Sequence, residues 1–408
     1  MNVAALAGRE VRNANQKWRI LAACAGILCI NAAFPIYGAS VVNTAMVTAM
    51  KLDRSMLGLL VTANMLITGT TAPLMGAAVS RFGSQRTLIG GSAALIIGSL
   101  VMAFLVHGPL QAVAAFGLFI GLAMSAGGFI ANQACVAGWF VDDQARPFAI
   151  LYATMGAGGF VAAPLIGEVI SRSHDWSAGW LVFTVMGAIA LALSLFVVRD
   201  PPKTGTPVEF GPPGGGTGDG SLKSPDIWLV IFCIMVAGAG SALYIAHGLA
   251  MLQDYGHTPL AAARSMSLMA ASTLIGNFLI GAFGQRAGLR RSLAAGSITF
   301  AIGLLLLANA RNTGLFYAYP VVLGAGFGAV QVGAMALLSK CTAANRFAAI
   351  SGVAISLQTV ASAATPFIGG WLFDHSHTYT PLTGTMVALN VAAAGLLLFG
   401  KRLFPKGA

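Results

Sequence analysis

The sequence predicts an all-α membrane protein of twelve transmembrane helices arranged as two pseudo-symmetric six-helix bundles. Three observations predict it. Of 408 residues, 57% are apolar and only 9% charged, where a soluble domain carries about 25% charged residues, and mean hydropathy is +0.80. The apolar residues fall into twelve runs, and dividing 408 by 12 leaves 34 residues for each run and its loop, enough for the ~20 that cross ~30 Å of hydrocarbon. The two halves of the chain also echo one another.

The runs follow from the charges and the Gly/Pro clusters that interrupt them. The first (20–48) stops before Lys51, Asp53 and Arg54, and the second (56–80) before Arg81 and Gly83. The third (87–106) ends at His107-Gly108-Pro109, the fourth (111–138) before Asp142 and Asp143, the fifth (148–170) at Arg172, and the sixth (178–198) at Arg199-Asp200. Residues 200–225 contain PPKTGTPVEFGPPGGGTGDG; they cannot bury enough apolar surface to fold and read as a flexible linker. Beyond it come runs at 227–252, 261–284, 292–310, 314–338, 347–373 and 382–400. The expected organisation is an N-terminal bundle (1–199), a linker (200–225) and a C-terminal bundle (226–408).

Net charge is +11, but the basic residues lie between apolar runs and form no patch that could follow a phosphate backbone, which excludes a nucleic-acid partner. Counted by side, 18 of the 23 Lys and Arg fall with the termini and the linker. The positive-inside rule then puts both termini in the cytoplasm and the chain in the plasma (inner) membrane, with the lipid bilayer as its solvent. The count assigns every basic residue to a loop or terminus. The five cysteines show no CxxC spacing and read as buried thiols. Gly395 to Lys401 mimics a phosphate loop but lacks the following Ser or Thr, and Gly324-Ala-Gly326-Phe-Gly328 lies in an apolar run, where GxxxG packing explains it, as at Gly117 and Gly121. No cluster of metal ligands or catalytic triad appears; the reading is of no enzyme, no metal and no cofactor.

Gly76, Arg81, Gly83 and Arg86 recur 205 residues later as Gly281, Arg286, Gly288 and Arg291, and Pro164 and Gly167 recur 202 residues later as Pro366 and Gly369. A duplicated six-span unit suits a carrier that rocks two bundles about a site near the bilayer midplane. The expected partner is a small-molecule substrate handled by a monomer.

The pattern G-x-x-x-[DSQ]-R-x-G-x-x-R in both halves resembles the signature loop of the major facilitator superfamily, and the twelve-span layout covers nearly the whole chain. Leu52-Asp53-Arg54-Ser55, Trp139-Phe140 with Arg146 and Ala149, and Asp175-Trp176 resemble the monocarboxylate and oxalate/formate carriers. That resemblance implies a secondary transporter working by alternating access on a monocarboxylate-like organic anion, with a coupled proton; the alternative is an exporter of a neutral or apolar metabolite or drug. It also implies that Gly76, Arg81, Gly83, Gly281, Arg286 and Gly288 gate the cytoplasmic side. Ser80 and Gln285 stand where such loops usually carry an acid, so the charged latch is altered.

Ionisable and amide side chains within lipid are the candidate substrate contacts. His247 reads either as a pore-facing, proton-linked group or as a packed neutral histidine. Glu168 and Asp254 fall near the outer ends of their runs, where solvation accounts for them. Asn31, Asn64, Gln133 and Asn390 read equally as glue between helices or as contacts. Since spans one, four, seven and ten line the cavity of this superfamily, Tyr37, Asn132, His247 and Gln331 are favoured. By resemblance, Tyr37 and Phe129 fall where the oxalate/formate carriers have aromatic rings, and Asn277 and Gln358 where that branch has an arginine and a lysine. Two fixed cations are thereby replaced by amides, which disfavours oxalate.

Overall fold

The computed structural model describes residues 3–140, 145–201, 222–342 and 344–400; the expected linker lies almost entirely outside them. Regular structure among the described residues is helical throughout. Twelve helices are long and apolar enough to span a membrane: Gln16–Ala49, Arg54–Phe82, Ser84–Phe104, Pro109–Trp139, Arg146–Ser173, Ser177–Phe196, Pro225–Asp254, Pro259–Gly284, Leu289–Ala308, Thr313–Cys341, Ile350–Ser376 and Thr380–Phe399, here spans 1 to 12. Spans 1–6 pack among themselves, as do spans 7–12; the halves meet where span 2 lies on span 11 and span 5 on span 8. An even number of crossings leaves both ends of the chain on one side, the termini side, opposite a far side.

Small residues set how closely these helices approach. A methyl group at Gly324 or Gly328 of span 10 would fall 2.2 or 2.1 Å from the Met269 or Thr273 carbonyl of span 8, and one at Gly117 would fall 2.9 Å from Ala63. Both GxxxG pairs are packing devices. Spans 1 and 4 are interrupted. Span 1 widens into π-helix over Cys29–Gly38, which contains Pro35, a residue with no N–H for the helical ladder. Span 4 carries a π-helical turn at Phe116–Ile120 and breaks at Gly128 (φ −85°, ψ −142°).

The signature loops are alike in shape. Gly83 and Gly288 have φ of +88° and +87°, values that favour glycine, and each opens the third helix of its half. Gln85 donates its side-chain amide to the Ser194 and Leu195 carbonyls at the end of span 6, and Arg290, 205 residues later, donates Nε to the Leu397 carbonyl at the end of span 12. Arg290 thus lies in the first turn of span 9, and Arg264 lies in the second turn of span 8. Arg54, Arg81, Arg86, Arg172, Arg286, Arg291 and Lys340 are likewise helical, and together these residues correct the expectation that every basic residue sits in a loop.

Ser80 turns back onto its own helix, donating to Gly76 O. A carboxylate still reaches the loop: Asp200 accepts the Gln85 N–H at 2.9 Å, at the positive end of span 3. Replacing Asp200 with Ala removes this cap and is expected to cost about 1 kcal/mol, read as a lower melting temperature of the purified protein, with Asp200→Asn closer to the parent.

Candidate functional site

The contacts between the halves run from the far loops to about the middle of the membrane. Outermost, the span 2 N-terminus donates Arg54 N–H and Ser55 N–H to the two carboxylate oxygens of Asp374 on span 11, at 2.8 and 2.9 Å. The Arg54 guanidinium meets Asp254 of span 7 at 2.7 Å and lies over the Phe373 ring, 5.5 Å from its centroid. One level down, span 2 and span 11 touch backbone to backbone at two glycines. A Cβ on Gly58 would fall 2.1 Å from Pro366 O, and one on Gly370 2.4 Å from Arg54 O. Deeper still, Ser40 donates to Ile245 O and Thr62 to Ala363 O, both at 2.5 Å. The innermost contacts are Gly69 on Thr359 and Gly156 on Leu274. Toward the termini, Gly76, Gly281 and Gly352 have open space where a Cβ would stand. The hydrogen bonds that join the halves among the described residues all lie in this far part of the interface, which forms a seal.

His247 belongs to the seal. It is fully buried; Nε2 donates to Pro366 O at 2.7 Å, and the Tyr379 hydroxyl lies 3.1 Å from Nδ1. A neutral imidazole with its proton on Nε2 satisfies both bonds, the packing that the second of the two readings expects. It steadies the carbonyl on which Gly58 rests. Burial pushes the Tyr379 hydroxyl well above the ordinary tyrosine range, which keeps it a donor, and its ring stacks on Phe373 at 4.6 Å.

The other candidates separate. Tyr37 is buried at the seam between the halves, packed beside Gly159 of span 5 and Ala270 of span 8. Phe129 is partly buried just beyond the break of span 4. Asn132 is fully buried, and its Nδ2 donates to the Gly127 and Gly128 carbonyls at 2.9 and 2.7 Å, the groups that the break exposes. Asn31 donates to Ser92 and Asn64 to Phe116 O, tying spans together as glue. Glu168 pairs with Arg172 one turn on.

Gln331 and Gln358 come together, and Asn277 faces span 10 one turn from Gln331. All three are half-buried. Gln358 donates Nε2 to Gln331 Oε1 at 3.4 Å, and Gly328, one turn before Gln331, faces the Asn277 carbonyl oxygen. Gln358 and Ser362 pack directly on Gly238 of span 7, where a Cβ would fall 2.7 and 2.8 Å from them. This band of amides begins where the seal ends, since Gln358 adjoins Thr359. It offers donors and acceptors without charge.

Arg81 and Arg286 are exposed at the termini side, Arg81 lying over Phe82, well away from the amides. Changing either to Ala is expected to slow turnover by about fivefold, the scale of ~1 kcal/mol, and to leave the half-saturating concentration within about twofold. A counterflow titration separates the two parameters. Sequence reasoning missed the seal residues Asp374, Gly58 and Gly370; the only signal was the helix-opening Asp53-Arg54-Ser55.

The family model described as "Major Facilitator Superfamily" matches residues 21–263 and 227–407. The chain is 24% identical over 365 residues to an uncharacterised MFS-type transporter, YcxA, of Bacillus subtilis, covering 86% of each chain. It is 23% identical over 389 residues to the 2-nitroimidazole transporter of Escherichia coli, covering 91% of this chain and 94% of that one. Its fold matches the crystal structure of the nucleoside transporter NupG with a TM-score of 0.77 at 13% identity, over 96% of this chain and 100% of that one.

Proposed function

Because the chain belongs to the major facilitator superfamily, we propose that it is a secondary carrier moving a small, uncharged, hydrogen-bonding organic solute by alternating access. The observation that carries this reading is the amide band. Gln331 and Gln358 meet at the inner limit of the seal with Asn277 facing span 10 one turn away, and the Lys and Arg flanking them on the same helices, Arg286 and Lys340, stand nine residues off, about 14 Å along the axis. A desolvated anion needs a countercharge, and amides supply none. A monocarboxylic acid fits the same site in its undissociated form, which carries its proton with it and keeps the monocarboxylate reading as a special case. The resemblance to a protein named for transport of 2-nitroimidazole supports a small organic solute. The 18 to 5 distribution of basic residues supports cytoplasmic termini in an inner membrane, so the seal lies on the side away from the cytoplasm. One chain holds both bundles and is the proposed working unit.

Counterflow in liposomes tests this with a panel of neutral heterocycles, monocarboxylates and dicarboxylates. Neutral solutes are expected to exchange, and Gln358→Ala to raise their half-saturating concentration about tenfold, as for one lost hydrogen bond leaving its partner unpaired. Exchange confined to dicarboxylates would contradict the reading.

A further inference from the structure

The N-terminus of span 2 has two carboxylates within reach and uses the distant one. Asp53 stands at the N-cap position with extended backbone (φ −66°, ψ 156°) and makes no side-chain cap bond, although aspartate there ordinarily accepts from the second or third helical N–H. Those donors are Ser55 and Met56. Ser55 N–H is instead held, with Arg54 N–H, by Asp374 of the opposite half. We propose that Asp53 and Asp374 exchange as the cap of span 2: Asp374 holds the helix end when the far side is sealed, and Asp53 takes it over when the halves part there.

Parting the halves withdraws Asp374 and would leave the first N–H groups of span 2 and the positive end of its dipole without a partner. Asp53 already has the backbone conformation of a cap, so only its side-chain torsions need change. The open state is thereby relieved of an orphaned helix end, and the two closures come closer in free energy than they otherwise would. At the termini side the acid of the signature loop is replaced by Ser80, whose hydroxyl stays on its own helix. The exchange at the far side is one contribution to the balance between the two states. This rests on the chain moving between two closures and not on which solute it carries.

Spin labels at Leu110→Cys and Thr313→Cys, exposed at the far ends of spans 4 and 10, in a background without the five native cysteines, report far-side separation of the purified protein by pulsed electron resonance. Asp374→Ala is expected to raise the long-distance population relative to the short about fivefold, the typical worth of one cap, and Asp53→Ala to lower it about as much. Asp374→Asn and Asp53→Asn, which keep an acceptor oxygen and the side-chain volume, should shift it less in the same directions. Opposite signs at two aspartates serving one helix end are the signature of exchange. Shifts of the same sign, or no shift in either Asp53 variant, would overturn it. Failure of the counterflow panel would leave this result standing, and the reverse.

Discussion

Gly58→Ala is expected to reduce counterflow by about ten- to a hundredfold while leaving the protein folded. The added methyl would lie 2.1 Å from the Pro366 carbonyl oxygen, less than any van der Waals contact, and the oxygen is held in place by the His247 Nε2–H. Neither helix can yield locally, so the halves must separate. Overpacking a rigid contact costs ~1–3 kcal/mol, and the ~1.4–2.7 kcal/mol within that range is a ten- to hundredfold loss of the far-sealed population. Gly370→Ala, against Arg54 O, should act in the same way. Both positions lie far from the amide band, so binding of solute to the remaining conformation is expected to survive. The check is counterflow rate beside equilibrium binding in one preparation.

Asn277→Arg is expected to reverse the charge preference of the carrier. A guanidinium there, facing span 10 one turn from Gln331, gives a carboxylate the charge-assisted partner that the amides withhold, a gain of ~1.5–3 kcal/mol, or roughly ten- to a hundredfold in relative affinity. Competition between a neutral solute and its carboxylate analogue reads this directly. The variant should favour the carboxylate and the parent the neutral compound.

The twelve spans were legible because membrane crossing leaves a long one-dimensional signal: apolar runs, and the repeat of Gly76, Arg81, Gly83 and Arg86 at 281, 286, 288 and 291. The span ends were less so, since helices continue past the last apolar residue; Arg290 is helical while its side chain reaches the end of span 12. Among the candidate contacts, the mutual approach of Gln331 and Gln358 could be anticipated only as two polar residues that lipid would push inward. What hid the far seal was its dependence on pairing across the chain. Asp374 is 320 residues from the N–H it accepts, and nothing beside Pro366 or Gly58 announces that one is the floor on which the other rests. At Asn132 a break at Gly128 takes up the side-chain Nδ2, and a π-helical or broken span has no periodicity by which to foresee that.

The claim that the amide band takes uncharged solute is tested most directly by titrating the purified protein with a carboxylic acid and with its primary amide, on whichever scaffold the counterflow panel selects, across a range of pH. If only the undissociated acid binds, its apparent Kd rises about tenfold for each pH unit above its own pKa, while the Kd of the amide stays level and the two compounds compete. An acid whose Kd stays constant above its pKa would mean that the site takes the anion, and would contradict the account.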